Sequence, residues 1–180
     1  MTFFKYAFSV LLLWGISTSA QRVDLPVEYV KDQMLGGNKA TEQLKGTPYD
    51  NETFLPGVVE FGGKSITTQI RYNRLRDQFE IKNTTGEIGI LKRSRDIAVS
   101  IGDKAFDFFD YFDKDDEKKQ GYLKVLVDGE VKFLKKEGAE LRSAVKARNS
   151  YGQDKPAEII PFEEYYIMSG SEAPKYVRLK

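Results

Sequence analysis

From Gly57 onward the chain alternates apolar and polar residues with the period of a β-strand. Ile66, Thr68, Ile70 and Tyr72 interleave with Ser65, Thr67, Gln69 and Arg71, which places each set on its own side of an extended segment. Val58 to Phe61 precedes this run, and Gly62-Gly63 between them supplies the positive φ angles of a two-residue type I′ or II′ turn. Gly102-Asp103 and Asp128-Gly129 carry the same turn chemistry between strand-like flanks.

Pairing through each turn tests its register. Across Gly102-Asp103, Val99 falls opposite Phe106 and Ile97 opposite Phe108, while Ser100 meets Ala105 and Ala98 meets Asp107. One face is therefore apolar throughout. Across Asp128-Gly129, a two-residue turn sets Leu126 against Val131, Lys124 against Phe133, Val127 against Glu130 and Leu123 against Leu134, and both faces are mixed. Asp77 to Lys82 alternates with Phe79 and Ile81 inward and Gln78, Glu80 and Lys82 outward. Further strands are expected at Glu87 to Leu91, Leu141 to Ala147, Phe162 to Met168 and Tyr176 to Leu179. With no amphipathic helix between them, these short strands predict a mainly β fold: an antiparallel meander with tight hairpins, forming a sandwich or open barrel.

The N-terminus follows another pattern. Lys5 is followed by an apolar run from Tyr6 to Ile16, and small residues Thr18 and Ala20 precede Gln21. That is the layout of a secretory signal peptide over residues 1–20, cleaved near Ala20-Gln21, with an apolar run too short to span a bilayer. Residues 21–45 read as an irregular arm with one helical turn after Met34, and residues 46–180 as the β domain. The expected location is periplasmic or extracellular.

Composition then narrows the chemistry. The precursor carries 28 basic and 27 acidic side chains, and Lys5 is the only charge in the signal, so the mature chain is neutral at 27 against 27. A neutral domain has no long-range field for nucleic acid or an anionic membrane. No second apolar stretch is long enough for a membrane-spanning helix. The chain has no His and no Cys, and its one Trp lies within the signal. Nucleophilic sites built on His or Cys are thereby excluded, as are most zinc, copper and haem sites. Carboxylate chemistry, Ser-Lys chemistry and oxygen-ligated Ca²⁺ or Mg²⁺ remain, without a signature for any. No catalytic residue, metal ligand or cofactor is assigned. With no disulfide framework, a bacterial envelope suits the chain better than a eukaryotic secretory route, and the sequons at Asn51 and Asn83 are taken as accidental.

Three motifs have a functional and a plainer reading. Asp107 to Glu117 is acidic, but EF-hand spacing fails for want of a Gly at the sixth position and a Glu at the twelfth. Hairpin geometry instead sets Asp110 facing Arg95 as a cross-strand ion pair, with a solvated loop beyond. Arg71, Arg74 and Arg76 with Tyr72 suggest phosphate contacts, which neutrality disfavours. Arg71 then lies on the polar face of its strand, and the other two in the following turn. Tyr151, Tyr165 and Tyr166 suggest stacking on sugar rings, and half-buried packing is the commoner role.

Residues 46 to 82 carry a recognisable pattern in Gly46, Pro48, Tyr49, Asn51, Phe54, Gly57, Val58, Arg71, Tyr72, Asn73, Asp77 and Glu80. It resembles uncharacterised secreted proteins of Bacteroidota; residues 121–136 and Tyr165-Tyr166 are also similar to that group. The resemblance implies Gram-negative export and brings no activity with it. Members continue into a Lys- and Leu-rich C-terminal segment, so it also implies that this chain stops short at Lys180.

Tyr49, Asn51, Arg71, Tyr72, Asn73, Asp77 and Glu80 form the candidate site. They read as a polar clasp closing the hairpin ends, in which Arg71 satisfies a buried carboxylate, or as a ligand site. The function expected is an exported, soluble β-rich binding or interaction module of the bacterial envelope, with an envelope protein or glycan as partner. The alternative is a carboxylate-dependent hydrolase acting on an envelope polymer.

Overall fold

A computed structural model describes residues 30–32, 44–147 and 153–179. The predicted signal, the helical turn after Met34 and Tyr151 lie outside the described residues. The elements are β1 (Val30–Asp32), β2 (Leu55–Phe61), β3 (Lys64–Asn73), β4 (Gln78–Lys82), β5 (Ile88–Leu91), β6 (Ile97–Ile101), β7 (Lys104–Phe112), β8 (Lys118–Val127), β9 (Val131–Arg142), β10 (Glu158–Ser169) and β11 (Lys175–Val177). They form one sheet in the order β1-β5-β4-β3-β2-β6-β7-β11-β10-β9-β8. Because β7 also pairs with β8, the last five strands close into a ring. Strand pairings are antiparallel except the single contact of Phe112 with Lys175 that closes the ring. The mainly β, hairpin-rich fold expected from the alternation is the one observed.

Two glycine turns set their registers as predicted. Phe61 pairs with Lys64 around Gly62 (φ 51°) and Gly63 (φ 72°), and Ile101 pairs with Lys104 around Gly102 (φ 60°). β2 to β5 form a meander, after which β6 returns beside β2. In a flat sheet β5 and β6 would stand four strand spacings apart, roughly 19 Å. The link from Leu91 to Ile97 spans about 20 Å only if fully extended, and it contains a turn in which Ile97 N–H bonds to Ser94 O. The sheet must therefore roll, and Leu91 and Ile97 share one core with Val59, Ile70, Tyr72, Phe79, Phe106 and Phe108.

β7 and β8 serve two cores. Phe106, Phe108 and Tyr122 face the first. Alternation sends Phe109, Tyr111, Leu123 and Val125 to the opposite side, where they pack with Leu134, Tyr166, Met168 and Tyr176 inside the ring. These strands are apolar on both faces because each face is covered.

Several expectations are corrected. The Asp128-Gly129 turn is not type I′: neither residue has positive φ, Val125 pairs with Leu134, Val127 with Phe133 and Lys124 with Lys135, and a bulge lies between Val125 and Val127. β9 is held by a continuous ladder to β10 from Arg142–Glu158 to Val131–Ser169, and that long pairing overrides a two-residue turn preference. The strand expected at Leu141 to Ala147 instead ends β9 at Arg142, with only Val145 bridged to Lys155 beyond it. The last strand is Lys175–Val177 rather than Tyr176 to Leu179. The irregular arm contains β1, which pairs with β5. Glu80, expected outward, is buried.

Candidate functional site at the β3–β4 turn

Residues 44–54 form a strap over the meander. Lys45 exchanges backbone bonds with Ala157 and Ile159, Asp50 N–H donates to Tyr72 O, and Arg74 N–H donates to Pro48 O. The strap covers the outer face of β3 and β4, where Arg71 sits opposite Glu80 and Asn73 opposite Gln78. Glu80 is 1% exposed beneath it, which explains why a residue at an outward position is dry.

Three donors answer that buried carboxylate. Arg71 binds Oε2 through Nη2 and, at 3.2 Å, through Nε. Tyr49 Oη and Asn73 Nδ2 donate to Oε1 at 3.3 and 3.4 Å. The Arg71 guanidinium lies 3.7 Å from the Tyr49 ring centroid and 4.4 Å from that of Phe54, and donates to Glu52 O at 2.9 Å. A cation between two aromatic faces gains beyond its ion pair. Burial, then the Glu80 carboxylate, pushes the Tyr49 phenol up. Asp50, at the strap's centre, would be raised by burial alone, but bonds from Lys104 and Arg74 outweigh this and hold it below the ordinary carboxylate range.

The predicted clasp is two networks on opposite faces of β3, joined through Asn73. Tyr72 alternates to the core face, and its hydroxyl donates to Asp77 Oδ1 at 2.5 Å. Asp77 also meets Lys136 Nζ at 2.5 Å and accepts the Tyr122 N–H at 3.3 Å. Arg93 secures the same turn, donating to Asp77 O at 3.0 Å and Arg76 O at 2.5 Å, while Asn73 Oδ1 accepts the Arg76 N–H at 3.0 Å. Lys136 is 6% exposed, and burial pushes its ammonium below the usual lysine range against the pull of Asp77. Asn51 belongs to neither network: its side chain is exposed and accepts from Thr53 N–H at 3.0 Å as a turn cap.

Lys136, Gly121, Tyr122 and Arg93 were not foreseen. Gly121 is the one of these with a sequence signal, since a glycine inside a strand marks close approach. A Cβ there would overlap Asp77 Oδ2 and lie 2.8 Å from Lys136 Nζ. The other motifs resolve as follows. Arg95 pairs with Asp110 as the hairpin predicts, joined by Lys118 at 3.3 Å. Asp113 accepts the N–H groups of Asp115 and Glu117 at 3.0 and 2.9 Å, and no group of three or more acidic residues among the described residues is arranged for a metal ion. Arg74 is committed to Asp50. Tyr166 is buried, and Tyr165 is half-buried against Phe133 at 5.7 Å.

An apolar row lies on the outside of the ring. Val127 is paired with Phe133 and Phe133 with Ile167. Val127 is 55% and Ile167 42% exposed, with exposed Val131 beside them. No family model, curated protein or solved structure matches the chain. No helix among the described residues is long and apolar enough to cross a membrane.

Proposed function

We propose that this protein is an exported binding module of the bacterial envelope and that the outer face of β8, β9 and β10 is its contact surface. The observation that carries this reading is the continuous row Val127, Phe133 and Ile167, with Tyr165 stacked on Phe133. Contiguous exposed apolar side chains mark contact surfaces, whereas scattered ones do not. The two polar networks satisfy their own charges, which suits a scaffold better than a reacting centre. Aliphatic side chains on both sides of the aromatic pair favour a protein partner over a glycan. The test immobilises wild type and Val127→Asp with Ile167→Lys, both replacements being at exposed positions. A partner retained from envelope extract by wild type is purified and its affinity remeasured for each bait. At least a tenfold loss is expected; equal affinity rules out the row. Export is checked by intact mass of protein from the periplasm or medium, expected to begin near Gln21.

One observation favours a hydrolase. Burial raises the Asp107 carboxyl, with Asp128 and Glu60 adding to the shift against Lys132. Glu60 shares the Ala98 row with Asp107 and lines a shallow cleft of about 440 Å³ with Arg95 and Asp96. That reading requires cleavage of an envelope polymer lost in both Asp107→Asn and Glu60→Gln.

A further inference from the structure

β8 parts from β9 midway along its length. Their ladder holds at Lys124–Lys135 and Val125–Leu134. Past that point β8 continues beside β7 alone, to Lys118 opposite Phe112, while β9 follows β10 to Arg142. A split in a buried ladder leaves main-chain N–H and C=O groups that must find other partners. At Tyr122, side chains supply them: Asp77 Oδ2 accepts its N–H at 3.3 Å and Lys136 Nζ donates to its C=O at 3.2 Å. The same carboxylate and ammonium meet at 2.5 Å, so one ion pair fills the gap.

Asp77 reaches that gap from the β3–β4 turn. It holds a left-handed backbone conformation, φ 51°, which is uncommon outside glycine although aspartate tolerates it better than most residues. Tyr72, a member of the first core, bonds its carboxylate, and Arg93 holds its carbonyl. Lys136 follows Leu134 of the second core by two residues, on the same face of β9. The missing side chain of Gly121 leaves the space where the two charges meet.

We infer that the Asp77–Lys136 pair is a wedge that keeps β8 and β9 apart and forces the two cores to open together. Otherwise the cores share the β7–β8 wall and the hold of the strap on residues 157–159, through the backbone of Lys45 and its ion pair to Glu158 at 2.9 Å. If the meander loosens alone, Lys136 is left as a buried, unpaired cation and Tyr122 loses its substitute partners. If the ring loosens alone, Asp77 is stranded without Lys136. Either event carries the penalty of an uncompensated buried charge, so partial opening is suppressed in both directions.

Hydrogen exchange of the full chain across a urea series tests this, following peptides from β3 to β5 and from β9 to β10. In wild type the two regions lose protection at one midpoint. In Asp77→Asn with Lys136→Met, which deletes both charges at similar volume, the midpoints separate by more than about 1 M urea. Gly121→Ala crowds the pair without deleting either charge and also separates them; it decides the matter if the double variant does not fold. A common midpoint in the folded variants, even one lowered overall, overturns the wedge and leaves only a general contribution to stability. Separate midpoints in wild type overturn it as well.

Discussion

Arg71→Ala is expected to strand the most deeply buried carboxylate of the strap network. Glu80 is 1% exposed and keeps only the hydroxyl of Tyr49 and the amide of Asn73 when the guanidinium is gone. Breaking a buried ion pair from one side costs roughly 3–5 kcal/mol. Lost stacking on Tyr49 and Phe54 adds a further loss on the order of 1 kcal/mol. Urea melts of wild type and Arg71→Ala at pH 7 read the sum directly. Arg71→Lys keeps the charge, loses the fork and falls between. In a double-mutant cycle with Glu80→Gln, most of the loss should appear as coupling. A loss below about 1 kcal/mol, the range of an exposed pair, refutes the buried-clasp reasoning.

The turns give a paired test: Gly102→Val is expected to cost about 1–2 kcal/mol because Gly102 sits at φ 60°, whereas Gly129→Val is nearly neutral, its Cβ meeting nothing closer than Val131 O at 3.8 Å; chemical denaturation of both variants checks the contrast. Gly138→Ala forces a methyl into the Phe162 ring that lies across it, a cost of about 1–3 kcal/mol that Phe162→Leu in the same chain should relieve if the clash is the cause. Tyrosine ionisation followed by ultraviolet absorbance should be delayed, since burial pushes Tyr111 up to about 12 and raises Tyr72, Tyr122 and Tyr166 as well. Folded-state values above the unfolded value of about 10 mean that this stabilisation is complete below pH 10 and is lost above it, so those phenols should titrate together with alkaline unfolding; early, non-cooperative ionisation of all the tyrosines counts against the described burial.

Sequence by itself determined what neighbours along the chain can decide. Alternation over Ile66 to Tyr72, the glycine pair at 62–63 and Gly102-Asp103 set strand, turn and register together, since a two-residue turn leaves one pairing that keeps the apolar face whole. The Arg95–Asp110 pair followed from the register at Gly102. Tertiary structure decided the rest, and each case has a distant cause. Glu80 is buried because a strap some thirty residues earlier lies over it. The Asp128-Gly129 turn gave way because β9 is bound along its length to β10, which the turn's own residues cannot reveal. Leu123 and Tyr122 are both dry because β7 and β8 wall off two cores, and no single-face pattern describes a strand covered on both sides. Lys136, polar in every local respect, is buried because Asp77 arrives to neutralise it: a charge can be placed inside only where its partner is, and that partner is chosen by the fold.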